Sequence, residues 1–420
     1  MTRLLQAETE IRPDLCVIGL DAAGFELAFA AQALGVPVAL ATACATPFAP
    51  PPGQPDPLRR LAALGARIIE GAVRFAGPDR LETPDGLVRA RRFVIATGAE
   101  PALPPVPGLE AVPAHDPAAA AGTQLAVFGA GAHGVATAQA ARRAGARVTL
   151  LATAGFLPGW DPDGAALVRT LLEREGVAIR EGGSLEGASL VTGEDGARRL
   201  VFPDGAGPVT LSHAAFDCGL VPRLAALAPD RAGIAMRDGA PLLDSRLRTR
   251  NRRIHVAGAA TGRAEAAEQA RAEAAALLAS LVFRRPGRID PAALPRRVAT
   301  RPALVEFGAG EAGLAPGARA GLRFLRVPVA TASGPGFIKA IATPKGAIRG
   351  AAILADEAEA LAAPLLLAAR SGTPLPALAE LALPAPGAAA ALQALGALFM
   401  RERLQRPGMA RLIRLLRWLG

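Results

Sequence analysis

Residues 124–134 read QLAVFGAGAHG, and residues 135–151 continue as VATAQAARRAGARVTLL. The apolar run predicts a buried strand, the Ala-rich stretch a helix, and ARVTLL a second strand. Gly129, Gly131 and Gly134 have the GxGxxG spacing of a dinucleotide-binding loop. In this motif the first glycine makes a tight turn, the second lets the backbone approach a pyrophosphate, and the third lets helix and strand pack closely. The stretch therefore predicts a strand–helix–strand unit with a phosphate-binding loop, or the same fold element retained with an empty site.

A second unit of the same kind precedes it. Residues 14–19 (DLCVIG) predict a strand, residues 25–35 (FELAFAAQALG) a helix, and residues 36–41 (VPVALA) another strand. The intervening loop runs from Gly19 to Gly24, with Asp21 at the place of the second glycine. Two such units predict an α/β fold built on dinucleotide-binding domains.

Three further motifs follow in a fixed order. They are IATGAEPALPPVPGL (95–109), which contains Thr97 and Gly98; LRTRNRRIHVAG (247–258), which ends at Gly258; and GFIKAIATPKGAIRGAAIL (336–354). Over residues 14 to about 396 this order resembles the pyridine nucleotide-disulfide oxidoreductases, in particular dihydrolipoyl dehydrogenase and mercuric reductase. The resemblance implies two Rossmann-like FAD/NAD(P)-binding domains, a C-terminal α+β dimerisation domain, and a homodimer.

The same resemblance suggests a domain division. The predicted parts are a discontinuous FAD-type domain (1–115 and 235–297), an NAD(P)-type domain (116–234), a dimerisation domain (298–400) and a basic amphipathic tail (401–420).

The resemblance also assigns cofactor-binding residues. The candidates are Gly19, Gly24, Thr42, Thr97, Gly98 and Gly258 for FAD, and Gly129, Gly131 and Gly134 for NAD(P). We expect FAD to be held weakly, because Asp21 replaces a glycine, Thr42 replaces a ribose-binding acid, and Ala259 replaces the acid of the family's AGD segment. Ala152 stands where an acid would select NADH, and no arginine follows that would select NADPH.

The residues of disulfide chemistry are absent. Where the family carries CxxxxC, Cys44 is followed five positions later by Ala49, and thiol–disulfide exchange cannot start without that pair. The family's HPHPT..E motif aligns with LPAPG (383–387) and Ala390. We predict no catalytic residue, and a pseudoenzyme with a scaffolding or nucleotide-sensing role. The alternatives are an active FAD-dependent NAD(P)H oxidoreductase that transfers electrons directly from flavin to an acceptor, and a membrane-peripheral partner protein.

Composition and charge further limit the partners and the cellular location that the sequence predicts. The net charge is +10, yet the sequence has no zinc spacing and no aromatic-studded basic strand, so nucleic acid is not an expected partner. Cys16, Cys44 and Cys218 are far apart, which predicts neither a disulfide framework nor a metal site. No apolar run reaches the roughly 18 residues of a membrane span. These features predict a cytoplasmic protein, with a peripheral position at the inner membrane face as the alternative.

The last twenty residues, RERLQRPGMARLIRLLRWLG (401–420), form an amphipathic pattern. Met409, Leu412, Ile413, Leu416 and Leu419 share one helical face, and arginines occupy most of the other. Such a helix binds anionic lipid, docks on a partner protein, or packs on its own dimer.

Single residues elsewhere have structural interpretations. His133 is predicted to face solvent, while His255 and Cys16 lie on apolar strands and are predicted to pack in the core. No cation at helical spacing lowers the pKa expected for Cys218.

Overall fold

The computed structural model describes residues 10–42, 56–205, 207–263, 267–285, 287, 294–381, 388–404 and 407–419. The chain forms two compact units. Unit 1 comprises Met1–Ala102 and Gly219–Leu294, and unit 2 comprises Leu103–Cys218 and Pro295–Gly420. The four-part division made from the sequence stays a prediction.

The first segment of unit 1 alternates short strands with two helices. Its strands are β1 (Glu10–Ile11), β2 (Leu15–Ile18), β3 (Val38–Ala41), β4 (Arg67–Ile69), β5 (Arg74–Gly77), β6 (Arg80–Thr83), β7 (Gly86–Val88), β8 (Arg92–Ile95) and β9 (Ala99–Pro101); its helices are α1 (Ala22–Ala33) and α2 (Pro57–Ala63).

Unit 2 begins with a second Rossmann-type segment. It contains β10 (Gln124–Phe128), α3 (Ala132–Arg143), β11 (Arg147–Ala152), α4 (Pro162–Arg174), β12 (Ala178–Glu181), β13 (Ser189–Thr192), β14 (Arg198–Val201), β15 (Val209–Leu211) and β16 (His213–Phe216). The chain then returns to unit 1 with β17 (Leu220–Pro222), β18 (Met236–Arg237), β19 (Ala240–Pro241), β20 (Ile254–Val256) and α5 (Ala267–Leu281).

The C-terminal segment belongs to unit 2. It contains β21 (Arg296–Val298), β22 (Ala303–Gly308), α6 (Pro316–Arg319), β23 (Arg323–Thr331), β24 (Gly334–Ala342), β25 (Ile348–Ala355), α7 (Ala358–Ser371), α8 (Ala390–Leu404) and α9 (Pro407–Leu419).

A parallel sheet in the order β20-β8-β2-β3-β4 forms the centre of unit 1. Its strands are buried on both faces, as parallel strands between covering layers are. Cys16 and His255 lie in this sheet, 0% and 4% exposed, which confirms the predicted core positions. The order places the carboxyl ends of β2 and β8 side by side, where the first glycine loop begins.

Unit 2 contains a parallel sheet in the order β12-β11-β10-β16 and an antiparallel sheet in the order β21-β22-β25-β24-β23. One cluster of buried residues is shared between them, with Val168 of α4, Leu304 of β22 and Phe337 of β24 among its members. The second Rossmann segment and the C-terminal segment therefore have a common core. The predicted α/β fold class is confirmed.

Lys339 of β24 forms ion pairs that join these two segments. Its Nζ lies 2.8 Å from Asp161 Oδ2, 2.7 Å from Asp163 Oδ2 and 2.8 Å from Glu311 Oε2. Asp161 is also the N-cap of α4, accepting a hydrogen bond from the Gly164 N–H at 3.1 Å. The three carboxylates raise the pKa of Lys339 above its ordinary value, although burial opposes this shift. The lysine therefore connects the antiparallel sheet to the N-terminus of α4.

The predicted C-terminal helix is present as α9. The side chains of Leu415, Leu416 and Trp418 are 52%, 58% and 82% exposed. Among the helices of the described residues, none combines the length and the apolar character needed to cross a bilayer.

Candidate functional site

The first glycine loop connects β2 to α1. Gly19 has φ +97°, and a Cβ built on it would lie 2.3 Å from the Ala96 carbonyl oxygen. A Cβ on Gly24 would lie 2.6 Å from the Ala96 Cβ. Both glycines are therefore required by the close approach of the loop to the residue that follows β8, whatever the loop binds.

Asp21 caps α1 from within this loop. Its Oδ1 accepts a hydrogen bond from the Gly24 N–H at 2.8 Å, and its buried Oδ2 has no hydrogen-bond partner among the described residues. Burial raises the pKa of Asp21 to about 7, and the charge of Glu273 adds to the increase, while backbone N–H groups oppose it. Since helix N-termini attract phosphate through free N–H groups, Asp21 competes directly for the position that a pyrophosphate would use.

A second acid, Glu273 of α5, contacts the segment that follows β20. The Gly258 N–H donates to Glu273 Oε2 at 2.7 Å, and Glu273 is buried, which raises the pKa of its carboxyl group. Thr261 Oγ1 donates to the Gly258 carbonyl oxygen at 2.8 Å. Gly258 is thus engaged by the chain's own side chains, and the neighbouring Ala259 offers no acid to a ribityl group.

The remaining candidates of unit 1 contribute little binding capacity. Thr42 donates its hydroxyl to the Ile69 carbonyl oxygen at 3.4 Å. Thr97 is buried, and its Oγ1 has no hydrogen-bond partner in the described part of the chain. Gly98 has φ +72°, with open space around the position of a Cβ. Together with Asp21, Ala259 and Glu273, these residues fit an FAD diphosphate and ribose poorly.

Replacing Asp21 with asparagine is expected to stabilise the chain above neutral pH. Because the pKa of Asp21 is raised to about 7 in the folded chain, the aspartate loses stability as pH rises from its unfolded pKa through about 7. Asparagine keeps the helix cap and has no charge to bury. The Asp21→Asn variant should gain about 1–3 kcal/mol at pH 8 and almost nothing near pH 4, measured by urea unfolding at both pH values.

The matched control is Asp56→Asn, because Asp56 is an exposed N-cap whose Oδ1 accepts from the Leu58 N–H at 2.9 Å. It should show no such pH-dependent gain. Equal gains for both variants, or a gain of Asp21→Asn that does not change with pH, would contradict the assignment of a buried charge to Asp21.

The second glycine loop connects β10 to α3 and is tightly packed. Gly129 has φ +97°, and its Cβ would lie 2.2 Å from the Asp217 carbonyl oxygen. A Cβ on Gly134 would lie 2.2 Å from the Gly129 carbonyl oxygen. As in the first loop, chain packing alone requires these glycines.

Asp217 is the residue of this loop region that motif reasoning missed. It follows β16, which pairs in parallel with β10. Its Oδ2 accepts from the Gly134 N–H at 2.7 Å and lies 2.6 Å from the position of a Cβ on Gly131. Since the carboxyl ends of neighbouring parallel strands meet at one edge, the sheet order would have been the signal that finds it.

Neither described cysteine has the lowered thiol pKa of a catalytic nucleophile. Burial raises the pKa of the Cys16 thiol to about 12. Cys218 is exposed, but partial burial of its thiol and the neighbouring Asp217 charge raise its pKa as well, and its Sγ donates to the Phe128 carbonyl oxygen at 3.4 Å. Catalytic cysteines need the opposite shift.

Other residues considered from the sequence fall in different places. His133 is exposed, as predicted, in the first turn of α3, and Ala152 is buried at the end of β11. Cys44 and Ala49, and the LPAPG segment at 383–387, lie outside the described residues, while Ala390 begins α8. Within the described residues, no group of three or more His, Cys, Asp or Glu side chains is arranged to hold a metal ion.

Known proteins resemble the chain in sequence and in fold. Mercuric reductase of Streptomyces lividans is 30% identical over 264 residues, which is 60% of this chain and 56% of that protein. Dihydrolipoyl dehydrogenase of Thermus scotoductus is 34% identical over 123 residues, or 27% of this chain and 26% of that protein. The matched regions thus span about half the length of that mercuric reductase and about a quarter of that dihydrolipoyl dehydrogenase.

The solved structure of the HOCl-induced flavoprotein disulfide reductase RclA from Escherichia coli has the same fold. It superposes with a TM-score of 0.76 at 21% identity, covering 92% of this chain and 99% of that one. The family model described as pyridine nucleotide-disulphide oxidoreductase matches residues 58–274, more than half of the chain. Members of that family bind FAD and NAD(P). The chain therefore belongs to the pyridine nucleotide-disulphide oxidoreductase family.

Proposed function

We propose that this chain is a family member without disulfide reductase activity, a pseudoenzyme that serves as a dimeric scaffold. The proposal rests on one observation: Ala49 stands five positions after Cys44, where the redox pair would need its second cysteine. The raised thiol pKa values of Cys16 and Cys218 support it, because neither residue supplies a ready thiolate in its place. Homologues in this family are commonly homodimers, which supports the dimeric state.

The first glycine loop supports the same proposal. Asp21 occupies the N-terminus of α1 with its own carboxylate, and Glu273 occupies the Gly258 N–H. Both acids occupy backbone N–H groups that a diphosphate would use, and each repels the diphosphate when it is ionised, by about 4 kcal/mol at a separation of about 4 Å and an effective dielectric constant near 20. A scaffold needs the folded core of each unit and neither of these loops.

The test is the purified full-length protein with NADH or NADPH and a disulfide, lipoamide or mercuric ions as acceptors. We expect no oxidation of the nicotinamide above the buffer rate and a colourless preparation. A yellow protein with one FAD per chain that reduces a disulfide would overturn the proposal.

A second candidate is an oxidoreductase that passes electrons directly from flavin to an acceptor and needs no cysteine. The intact spacing of Gly129, Gly131 and Gly134 favours it, although the Asp217 side chain packs against that loop. The visible spectrum separates the two functions, because bound flavin absorbs near ~370 and ~450 nm. Reduction of non-disulfide acceptors by a flavin-containing preparation would favour this second candidate.

Exposed apolar side chains of α9 favour a further role at a surface. Leu415, Leu416 and Trp418 are exposed, and residues 407–420 contain three arginines and no acid. This combination suits an anionic lipid surface. Co-sedimentation with phosphatidylserine vesicles of the full chain, but not of a chain ending at residue 400, is the supporting result; equal pelleting of both chains removes the idea.

A further inference from the structure

We propose that Asp217 closes the second glycine loop to dinucleotides by placing a carboxylate where the pyrophosphate of NADH or NADPH would lie. The inference goes beyond the proposed function, which concerns thiol chemistry and does not depend on whether this loop is open. The inference makes one side chain responsible for excluding the coenzyme, so that replacing Asp217 should allow NADH or NADPH to bind.

The geometry at Gly131 carries the inference. In a GxGxxG loop the second glycine lacks a side chain so that the loop backbone can approach a pyrophosphate. Here the space beyond Gly131 is taken, because Asp217 Oδ2 lies 2.6 Å from the position of a Cβ on that residue. The glycine is present, but the Asp217 side chain, which follows β16, occupies the space that such a glycine leaves open for a phosphate.

The hydrogen bonding at the start of α3 leads to the same conclusion. The first N–H groups of a helix have no partner within the helix and bind a phosphate in open loops of this type. Asp217 Oδ2 accepts from the Gly134 N–H at 2.7 Å. A dinucleotide phosphate that approached this helix end would have to displace the carboxylate and leave it without its donor.

The first glycine loop has the same hydrogen bond, formed by a different residue. Asp21 stands at the second-glycine position and accepts from the N–H of the third glycine, Gly24, at 2.8 Å. The two acids occupy unrelated places in the sequence, yet each caps the helix of its own loop. A helix that no longer binds phosphate still needs an acceptor for its N–H groups, which explains why a carboxylate suits both positions.

The end of β11 supplies no positive charge that would offset Asp217 toward a pyrophosphate. Ala152, the last residue of β11, and the three residues after it include no basic residue that could attract a coenzyme phosphate. Repulsion between the carboxylate and a diphosphate acts in the same direction as the occupied space at Gly131, and both oppose binding of the ligand.

The test is titration calorimetry of NADH and of NADPH with the full-length chain and its Asp217→Ala and Asp217→Asn variants. Alanine removes both the charge and the volume, and we expect at least a tenfold lower Kd for one of the coenzymes. Asparagine keeps the volume and a hydrogen-bond acceptor for Gly134, so it should give a smaller gain, about threefold. If the alanine variant fails to fold, the asparagine variant still decides.

Asp195→Ala is the matched control, since Asp195 is an exposed acid between β13 and β14 of the same unit. It should leave the Kd unchanged. Micromolar binding by the unaltered chain, or unchanged binding by every folded Asp217 variant, would overturn the inference. Neither result bears on thiol chemistry, whereas disulfide reduction by the unaltered chain would overturn the proposed function and leave Asp217 to its own binding test.

Discussion

Replacing Lys339 with methionine is expected to lower the free energy of unfolding by about 3–5 kcal/mol. The lysine is 5% exposed and lies within 2.8 Å of carboxylate oxygens from Asp161, Asp163 and Glu311. Methionine fills a similar volume but leaves these acids without the shared cation. Asp161 is only 2% exposed. It would still accept the hydrogen bond from the Gly164 N–H of α4, but among the described residues it would have no cation within ion-pair distance.

The measurement is urea unfolding at pH 7, compared with Lys345→Met. Lys345 is the only other lysine in the sequence and is exposed in the turn between β24 and β25. Its replacement should lower the free energy of unfolding by less than about 0.5 kcal/mol. Because the pKa of Lys339 is raised in the folded chain, its contribution is complete below the unfolded pKa and is lost only at higher, strongly alkaline pH. A Lys339→Met loss no larger than the Lys345→Met loss would show that the buried cation is not needed.

The fold was predictable where the determining pattern is local in sequence. Hydrophobic runs and loop glycines located β10 and β11 to within one residue of the observed bounds, whereas the helix predicted from residue 135 begins three residues earlier, at Ala132 of α3. The start of α1 was placed at residue 25, whereas the helix begins at Ala22. The difference has a physical cause, because the Asp21 carboxylate accepts from the Gly24 N–H and allows the helix to begin directly after the aspartate.

The candidate site was less predictable because its decisive contacts join distant residues. Asp217 and Gly134 are 83 positions apart, and Lys339 and Asp161 are 178 positions apart. Only the parallel pairing of β16 with β10 brings the first pair together. A motif records which residues form a loop, but not which side chain a neighbouring strand places against it.

Replacing Gly19 with alanine is expected to destabilise the chain by about 3–5 kcal/mol, through φ strain and a backbone clash together. The residue has φ +97°, and a Cβ would lie 2.3 Å from the Ala96 carbonyl oxygen and 2.6 Å from the Thr97 Cα. These are backbone atoms of a buried segment, so no side chain can rotate away to relieve the contact.

Gly98→Ala separates the two causes of this loss. Gly98 also has a positive φ, +72°, but nothing lies within 4 Å of its Cβ position, so alanine should cost only about 1 kcal/mol. Both variants are compared by urea unfolding without added nucleotide. A cost for Gly19→Ala no larger than for Gly98→Ala would contradict the packing explanation. The expected difference, seen without ligand, means that folding alone is a sufficient reason for a glycine at position 19. A glycine loop in this chain is therefore evidence for strand–helix packing first, and evidence for a nucleotide only when the space over its second glycine is open.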